Sequence, residues 1–400
     1  MVKGKKNKLL IILRLFTGIE TSIINQKWSP TGIPTVYKFI EKADKKFNCR
    51  IIFLSYGDNE NQIDFSNPKK KIDGLSSEIY IYKNYFKNKF FLKKLISNFL
   101  SMIRIFFHCL NFRPNKIYLN NQNILFGFIL KNIFFYKVII RIMGVYQPMR
   151  DIFKKYTIKN YIMRKFYQSN YDMAILTQDG SGSELWSKYA LTKTKKKEVL
   201  INGIDKPSKY KTYDKEISNI LFFGRLESGK GILEFIEFAL KLENIFPNKY
   251  KFIVIGSGEY DSFLNKSFSS NNINYQHYKM IPHSRINKLI NYADIYVSLN
   301  KRGSLSNANL EVFKKGILSI ILSSDHNNKI DIFTDDFLTN DAVIRIDRND
   351  IVNQLITLFT DINLNKKAKE YSKRLIEIMD LETSSWDERI EYEINEIEKI

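Results

Sequence analysis

Cysteine is nearly missing. Only Cys49 and Cys109 occur in 400 residues, so no disulfide framework is available and a reducing, cytoplasmic compartment is expected. Four histidines and two cysteines form no ligand-spaced cluster, and no two aspartates stand two positions apart. Neither a zinc site nor a paired-aspartate clamp for a metal and a diphosphate is therefore expected; the metal expectation is none. There is no G-x-S-x-G serine elbow, because Gly180-Ser181-Gly182-Ser183 has the wrong spacing. A long apolar run is lacking too. Residues 1–16, MVKGKKNKLLIILRLF, imitate a signal peptide, but the run is short, is broken by Arg14 and leads to no small-residue cleavage site. Leu9–Leu15 reads instead as the first strand of a parallel sheet.

Acidic residues are scarce in one half only. Residues 1–200 hold 36 Lys and Arg against 13 Asp and Glu, whereas residues 201–400 hold 27 against 29. The net charge of +21 thus sits wholly in the first half. Such asymmetry points to an anionic partner met by one domain: a membrane surface, a lipid-linked phosphate or a nucleic acid. The length suggests two domains, and 44% apolar with 26% charged residues is enough for both to be folded.

What is present is a repeated strand–helix alternation, the signature of doubly wound α/β domains. In the first half, Leu9–Leu15 is followed by an open loop with Gly32 just before a helix over Val36–Lys46. Arg50–Leu54 is the next strand. Residues 80–110 combine Phe91, Leu92, Leu95, Ile96, Phe99, Met102, Ile103 and Phe106 at helical spacing with Lys87, Lys89, Lys93 and Lys94. Arg104 and His108 interrupt it, so it makes a poor spanning helix. An amphipathic helix at a membrane interface and a core helix with solvated lysines both fit it. Residues 206–217 are polar and aperiodic and read as the linker. The second half repeats the alternation and ends in an amphipathic helix capped near Ser384 or Ser385.

Ile220–Gly231, ILFFGRLESGKG, stands out. A buried strand delivers Gly224, Arg225, Gly229 and Lys230 to a helix starting at Ile232. Glycines admit a close backbone, a helix start offers free N–H groups, and cations neutralise charge, so a diphosphate fits. A P-loop is nearly spelled, but Gly231 stands where the magnesium-binding hydroxyl belongs. A glycosyltransferase Gly-Arg-Leu…Lys-Gly loop, or a plain strand–loop–helix with solvated charges, fits as well.

Further motifs follow in order. Asn202-Gly203-Ile204-Asp205 precedes this loop. After it come Gly256-Ser257-Gly258-Glu259, Ala293-Asp294, and Leu305-Ser306-Asn307 running through Leu310-Glu311 to Gly316. In that ordered combination the chain resembles the retaining GT-B glycosyltransferases of family 4. The resemblance implies an α/β fold of two Rossmann-like domains facing across a cleft. The N-terminal one (1–205) would bind the acceptor and the C-terminal one (206–380) a nucleotide-sugar. A terminal helix (381–400) would cross back to the first.

Carried over by position, Arg225 and Lys230 would grip the donor diphosphate and act in catalysis. Gly224 would lie in the same loop. The N–H groups near Asn307, Ala308, Asn309 and Leu310 would hold phosphate oxygens, and Glu311 would bond the ribose. Gly32 would reach the diphosphate from the first domain. The family's usual first glutamate falls at Gly303 and is absent, so no catalytic carboxylate is nominated. The implied function is transfer of a sugar to a glycan or lipid-linked acceptor in cell-surface polysaccharide synthesis. The nucleotide-sugar is a co-substrate and no cofactor is expected. An anionic membrane surface is the expected partner of the basic half, giving a cytoplasmic or peripheral protein, and no nucleic-acid partner is expected. The competing reading is a basic nucleic-acid-binding protein, with the aromatic–lysine stretch stacking bases. That stretch fits no recognised module.

Overall fold

The computed structural model describes residues 7–16, 18–56, 63–84, 91–279, 281 and 283–400, without the side chains of 91–95, 283 and 284. Lys87 and Lys89, and the side chains of Phe91, Leu92, Lys93, Lys94 and Leu95, lie outside the described residues. The chain divides into two units. The first comprises residues 1–177, 184–203 and 386–400, and the second residues 178–183 and 204–385.

Among the described residues the first unit is built on eight strands: β1 (Lys8–Arg14), β2 (Asn48–Ser55), β3 (Lys69–Lys70), β4 (Glu78–Lys83), β5 (Lys116–Asn120), β6 (Lys137–Ile142), β7 (Met173–Thr177) and β8 (Lys196–Leu200). Their order is β3-β4-β2-β1-β5-β6-β7-β8, parallel except for the short β3. Alternation along β1 feeds two cores, because successive side chains leave a strand on opposite faces. Leu9, Ile11 and Leu13 join Phe39 and Ile40 of the helix Pro34–Lys46 and Trp386, Ile390, Ile394 and Ile397 of the terminal helix Trp386–Lys399. Leu10 and Ile12 pack on the other face with Ile105, Leu130 and Trp186. Each such side chain, fully buried, stabilises the unit by about 2 kcal/mol.

Where its side chains are described, the helix Phe91–Phe112 does not follow the core reading of its apolar stripe. Its buried face carries Ser97, Ser101, Ile105, His108, Cys109 and Phe112, while Ile96, Phe99, Leu100, Phe107 and Leu110 are exposed. His108 accounts for part of this. Its imidazole meets the Tyr82 hydroxyl at 2.7 Å, and burial together with the Arg50 charge pulls its pKa down to about 4, so it packs inward as a neutral ring.

Among the described residues the second unit has six parallel strands: β9 (Asn219–Phe223), β10 (Lys251–Ile255), β11 (Tyr275–Tyr278), β12 (Ile295–Ser298), β13 (Leu318–Leu322) and β14 (Ile344–Ile346). They run in the order β11-β10-β9-β12-β13-β14. One cluster links β9, β10, β12 and β13 to the helices Ile232–Ile245 and Ile351–Phe359. Residues 206–217, expected as the linker, are tied to this unit. The Lys211 N–H donates to the Lys315 carbonyl (2.8 Å), the Leu318 N–H donates to the Tyr213 hydroxyl (2.6 Å), and that hydroxyl donates to the Asp294 carbonyl (2.8 Å). Asp294 also accepts from the Ser218 and Asn219 N–H groups and pairs with Lys211 at 2.6 Å. That is the physical content of the Ala293-Asp294 motif.

Candidate donor site

In an open parallel sheet, ligands sit beyond the carboxyl ends of the strands where the strand order reverses. In the second unit that point lies between β9 and β12, since later strands run outward on either side. Beyond β9 come Gly224, Arg225 and a short turn over Ser228–Lys230. Beyond β12 comes the loop 299–306. The two loops are joined by the Lys301 N–H, which donates to the Gly229 carbonyl at 3.1 Å.

The glycines of this loop do different jobs. Gly231, at φ +77°, starts the helix Ile232–Ile245, and a Cβ there would run into Leu299. Gly256 and Gly258 let β10's exit loop lie on the backbone of Gly224 and Leu226. A Cβ on Gly224 would touch nothing within 4 Å, so the space beside it is open.

Arg225 and Lys230 share this edge, in different states. Arg225 is exposed and pairs with Glu227 at 2.8 Å, and Glu227 also holds Arg302 at 3.2 Å. Lys230 is half-buried, with no hydrogen bond or ion pair from its ammonium among the described residues. Burial, and then the charges of Arg225 and Arg302, pull its pKa down to about 8 against the opposing pull of Asp179 and Glu227. A desolvated ammonium beside two guanidiniums is a strong anion contact, since a diphosphate would relieve both the burial and the repulsion.

The helix Asn307–Phe313 opens less freely than expected. Ser306 caps it: its hydroxyl accepts from the Asn309 N–H (3.4 Å), and its carbonyl accepts from the Leu310 N–H (2.9 Å). The N–H groups of Asn309 and Leu310 are therefore used inside the protein, which corrects the expectation that both face a phosphate. The Asn309 side chain is buried and structural. Its amide donates to the Ser298 hydroxyl (2.8 Å) and the Ser304 carbonyl (3.0 Å), and its oxygen accepts from the Tyr296 hydroxyl (2.9 Å). Asn307 and Ala308 stand ahead of this network. Glu311 is half-buried, and its charge bears on Tyr296 and Lys315. Gly32 is exposed at φ +93° ahead of the helix Pro34–Lys46 and belongs to the first unit.

Three neighbours escaped the sequence reading. Arg302 stands beside Gly303 with only a basic dipeptide to mark it. Asp331 is fully buried and accepts from the Ser304 N–H (2.7 Å), the Ser304 hydroxyl (3.0 Å) and the Thr334 hydroxyl (2.8 Å). Burial pushes its pKa up to about 6. Asp179 reaches this unit from residues 178–183, which no local pattern could assign to it. Among the described residues no group of three His, Cys, Asp or Glu side chains is placed to hold a metal ion.

Residues 205–375 match the family model described as glycosyl transferases group 1. No curated protein sequence matches the chain. Among solved structures, it is similar to sucrose-phosphate synthase from Thermosynechococcus elongatus (TM-score 0.67, 11% identity, covering 98% of both chains). It is also similar to trehalose-6-phosphate from E. coli bound with UDP-2-fluoro glucose (TM-score 0.67, 11% identity, covering 98% of this chain and 99% of that one). A third is Anabaena HepE in complex with UDP and glucose (TM-score 0.64, 12% identity, covering 98% of this chain and 100% of that one). The two parallel-sheet units are those of the GT-B fold, and the second unit carries a glycosyltransferase domain. The match of the second unit to that family model supports a glycosyltransferase.

Proposed function

We propose that this glycosyltransferase is of the retaining family 4 type and uses a nucleotide-sugar donor. It moves the sugar to a glycan or lipid-linked acceptor in the synthesis of a cell-surface polysaccharide. The observation that carries the reading is Lys230, an ammonium without a partner among the described residues, flanked by Arg225 and Arg302 at the reversal point of the second sheet.

Glycosyl transfer requires the anomeric C–O bond to leave with its electrons on the β-phosphate. Fixed positive charge at that oxygen lowers the barrier, because it is already oriented when the charge develops. Lys230 and Arg225 are the groups that supply it here. In the retaining scheme implied by the resemblance, the leaving phosphate takes the acceptor's proton. No side chain then needs to act as nucleophile, in keeping with the lack of a nucleophile–base pair in the sequence. Removing one such charge contact costs about 3 kcal/mol, roughly a hundredfold in rate.

The first unit supports an acceptor held at an anionic membrane surface. No helix among the described residues is long and apolar enough to cross a membrane. Phe99 (66% exposed), Phe107 (57%) and Phe135 (82%) nevertheless stand in solvent. Phe106 and Phe134 are in ring contact, so the helix Phe91–Phe112 and the turn at 133–135 form one surface, with Arg104 exposed on that helix and Arg113 exposed just after it. Aromatic side chains with basic neighbours suit the headgroup region of anionic lipid.

The experiment is a panel of nucleotide-sugars, UDP-glucose among them, scored by nucleotide released with and without lipid-linked glycan. Turnover of one donor supports the reading. Release from none, while the protein binds an oligonucleotide tightly, would favour the nucleic-acid alternative.

A further inference from the structure

The segment 178–183 is stitched into the second unit beside the donor loops. The Leu305 N–H donates to the Asp179 carbonyl (3.1 Å), and the Asp331 N–H donates to the Gly180 carbonyl (2.7 Å). The fit is close enough to dictate glycine at 303. A Cβ there, on a backbone at φ +133°, would lie 2.5 Å from the Asp179 carbonyl oxygen and 2.8 Å from the Ser181 nitrogen. No glutamate can occupy that position while this segment does.

The same segment brings in a carboxylate of its own. Asp179 Oδ1 accepts from the Ser181 N–H at 3.1 Å and from the Ser181 hydroxyl, which fixes the side chain. No hydrogen bond to Oδ2 from another described residue accompanies these, and the residue is half-buried. Asp179 and Lys230 act on each other electrostatically without forming an ion pair, so the carboxylate and the ammonium stand apart. Glu227 is already taken by Arg225 and Arg302.

A carboxylate repels a diphosphate, so it serves whatever lies next to the diphosphate. In a nucleotide-sugar that is the sugar, whose hydroxyls donate hydrogen bonds. We propose that Asp179 Oδ2 accepts a hydroxyl hydrogen of the donor sugar, making it a specificity residue that selects neutral, hydroxylated sugars over uronates. This rests on the nucleotide-sugar reading above.

The test is calorimetric titration of the whole chain with UDP, UDP-glucose and UDP-glucuronate, for wild type, Asp179→Asn and Asp179→Ala. UDP-glucose is replaced by the donor from the panel if another is turned over. Asparagine can keep the bonds to Ser181, so the turn survives, and unchanged melting of the free variant verifies this. The expected result is nucleotide affinity within about twofold of wild type, with hexose-donor affinity down about tenfold and the preference over the uronate donor reduced. Equal loss for nucleotide and nucleotide-sugar would overturn the proposal, because Asp179 would then act only through the cations. No loss for either would overturn it as well. A wild-type protein that binds UDP and every nucleotide-sugar equally badly would instead sink the donor reading on which it rests.

Discussion

A lysine whose pKa is brought down to about 8 makes anion binding depend on pH. Below that value Lys230 carries its charge and meets the phosphate fully. Above it, binding must first take up a proton, so affinity falls by up to about tenfold per pH unit. The dissociation constant for nucleoside diphosphate should thus rise by roughly an order of magnitude between about pH 7 and about pH 9.5. Lys230→Arg, which holds its proton throughout, should flatten the curve; an equally steep curve in that variant would show that Lys230 is not the titrating group. That Arg225 and Lys230 share the loop after β9 was legible because a glycine-flanked pair of cations after an apolar strand is a local pattern. The placement of Asp179 was not, because it depends on a contact with Gly303 more than a hundred residues away. Asn309 was misread for a related reason. The sequence marks a helix start there, but not that Ser306 would use its N–H.

At the level of elements, the terminal helix Trp386–Lys399 shows what periodicity conveys and what it leaves out. Apolar residues at 386, 390, 394 and 397 announce a helix with one buried stripe. They do not announce that Glu393, with no exposed surface, lies beneath it among Arg389 (3.0 Å), Arg141 (3.7 Å) and the Tyr118 hydroxyl (3.0 Å). Arg389 also donates to the Ile201 carbonyl at 2.9 Å, so this cluster ties the helix to residues just past β8. Removing the one carboxylate leaves two guanidiniums buried without counter-charge. Glu393→Ala should therefore destabilise the first unit by about 3–5 kcal/mol in urea unfolding followed by tryptophan fluorescence. A loss under about 1 kcal/mol would show that water already compensates the cluster. The helix Phe91–Phe112 teaches the reverse lesson: its apolar stripe was legible, but among the described side chains Ile96 and Phe99 of that stripe are exposed and Met102, Ile103 and Phe106 only half-buried.

Over the whole molecule, alternating strand and helix patterns were enough to read two parallel α/β units, because parallel strands buried on both faces are nearly continuous apolar runs. The charge imbalance was equally plain, being a property of composition. What it is for depends on the exposed Phe99, Phe107 and Phe135. Binding to anionic vesicles should be salt-sensitive and should weaken several-fold when Phe99 and Phe107 are replaced together by serine. Equal binding to neutral vesicles, or none to anionic ones, would remove the membrane surface from the account.

The central claim is that Arg225 and Lys230 receive a departing nucleoside diphosphate. It is tested most directly by comparing wild type with the Arg225→Ala, Lys230→Ala double variant on the donor the panel identifies, with circular dichroism as the check on folding. The account predicts a folded variant whose turnover falls by at least about a hundredfold. A folded variant with wild-type turnover would contradict it.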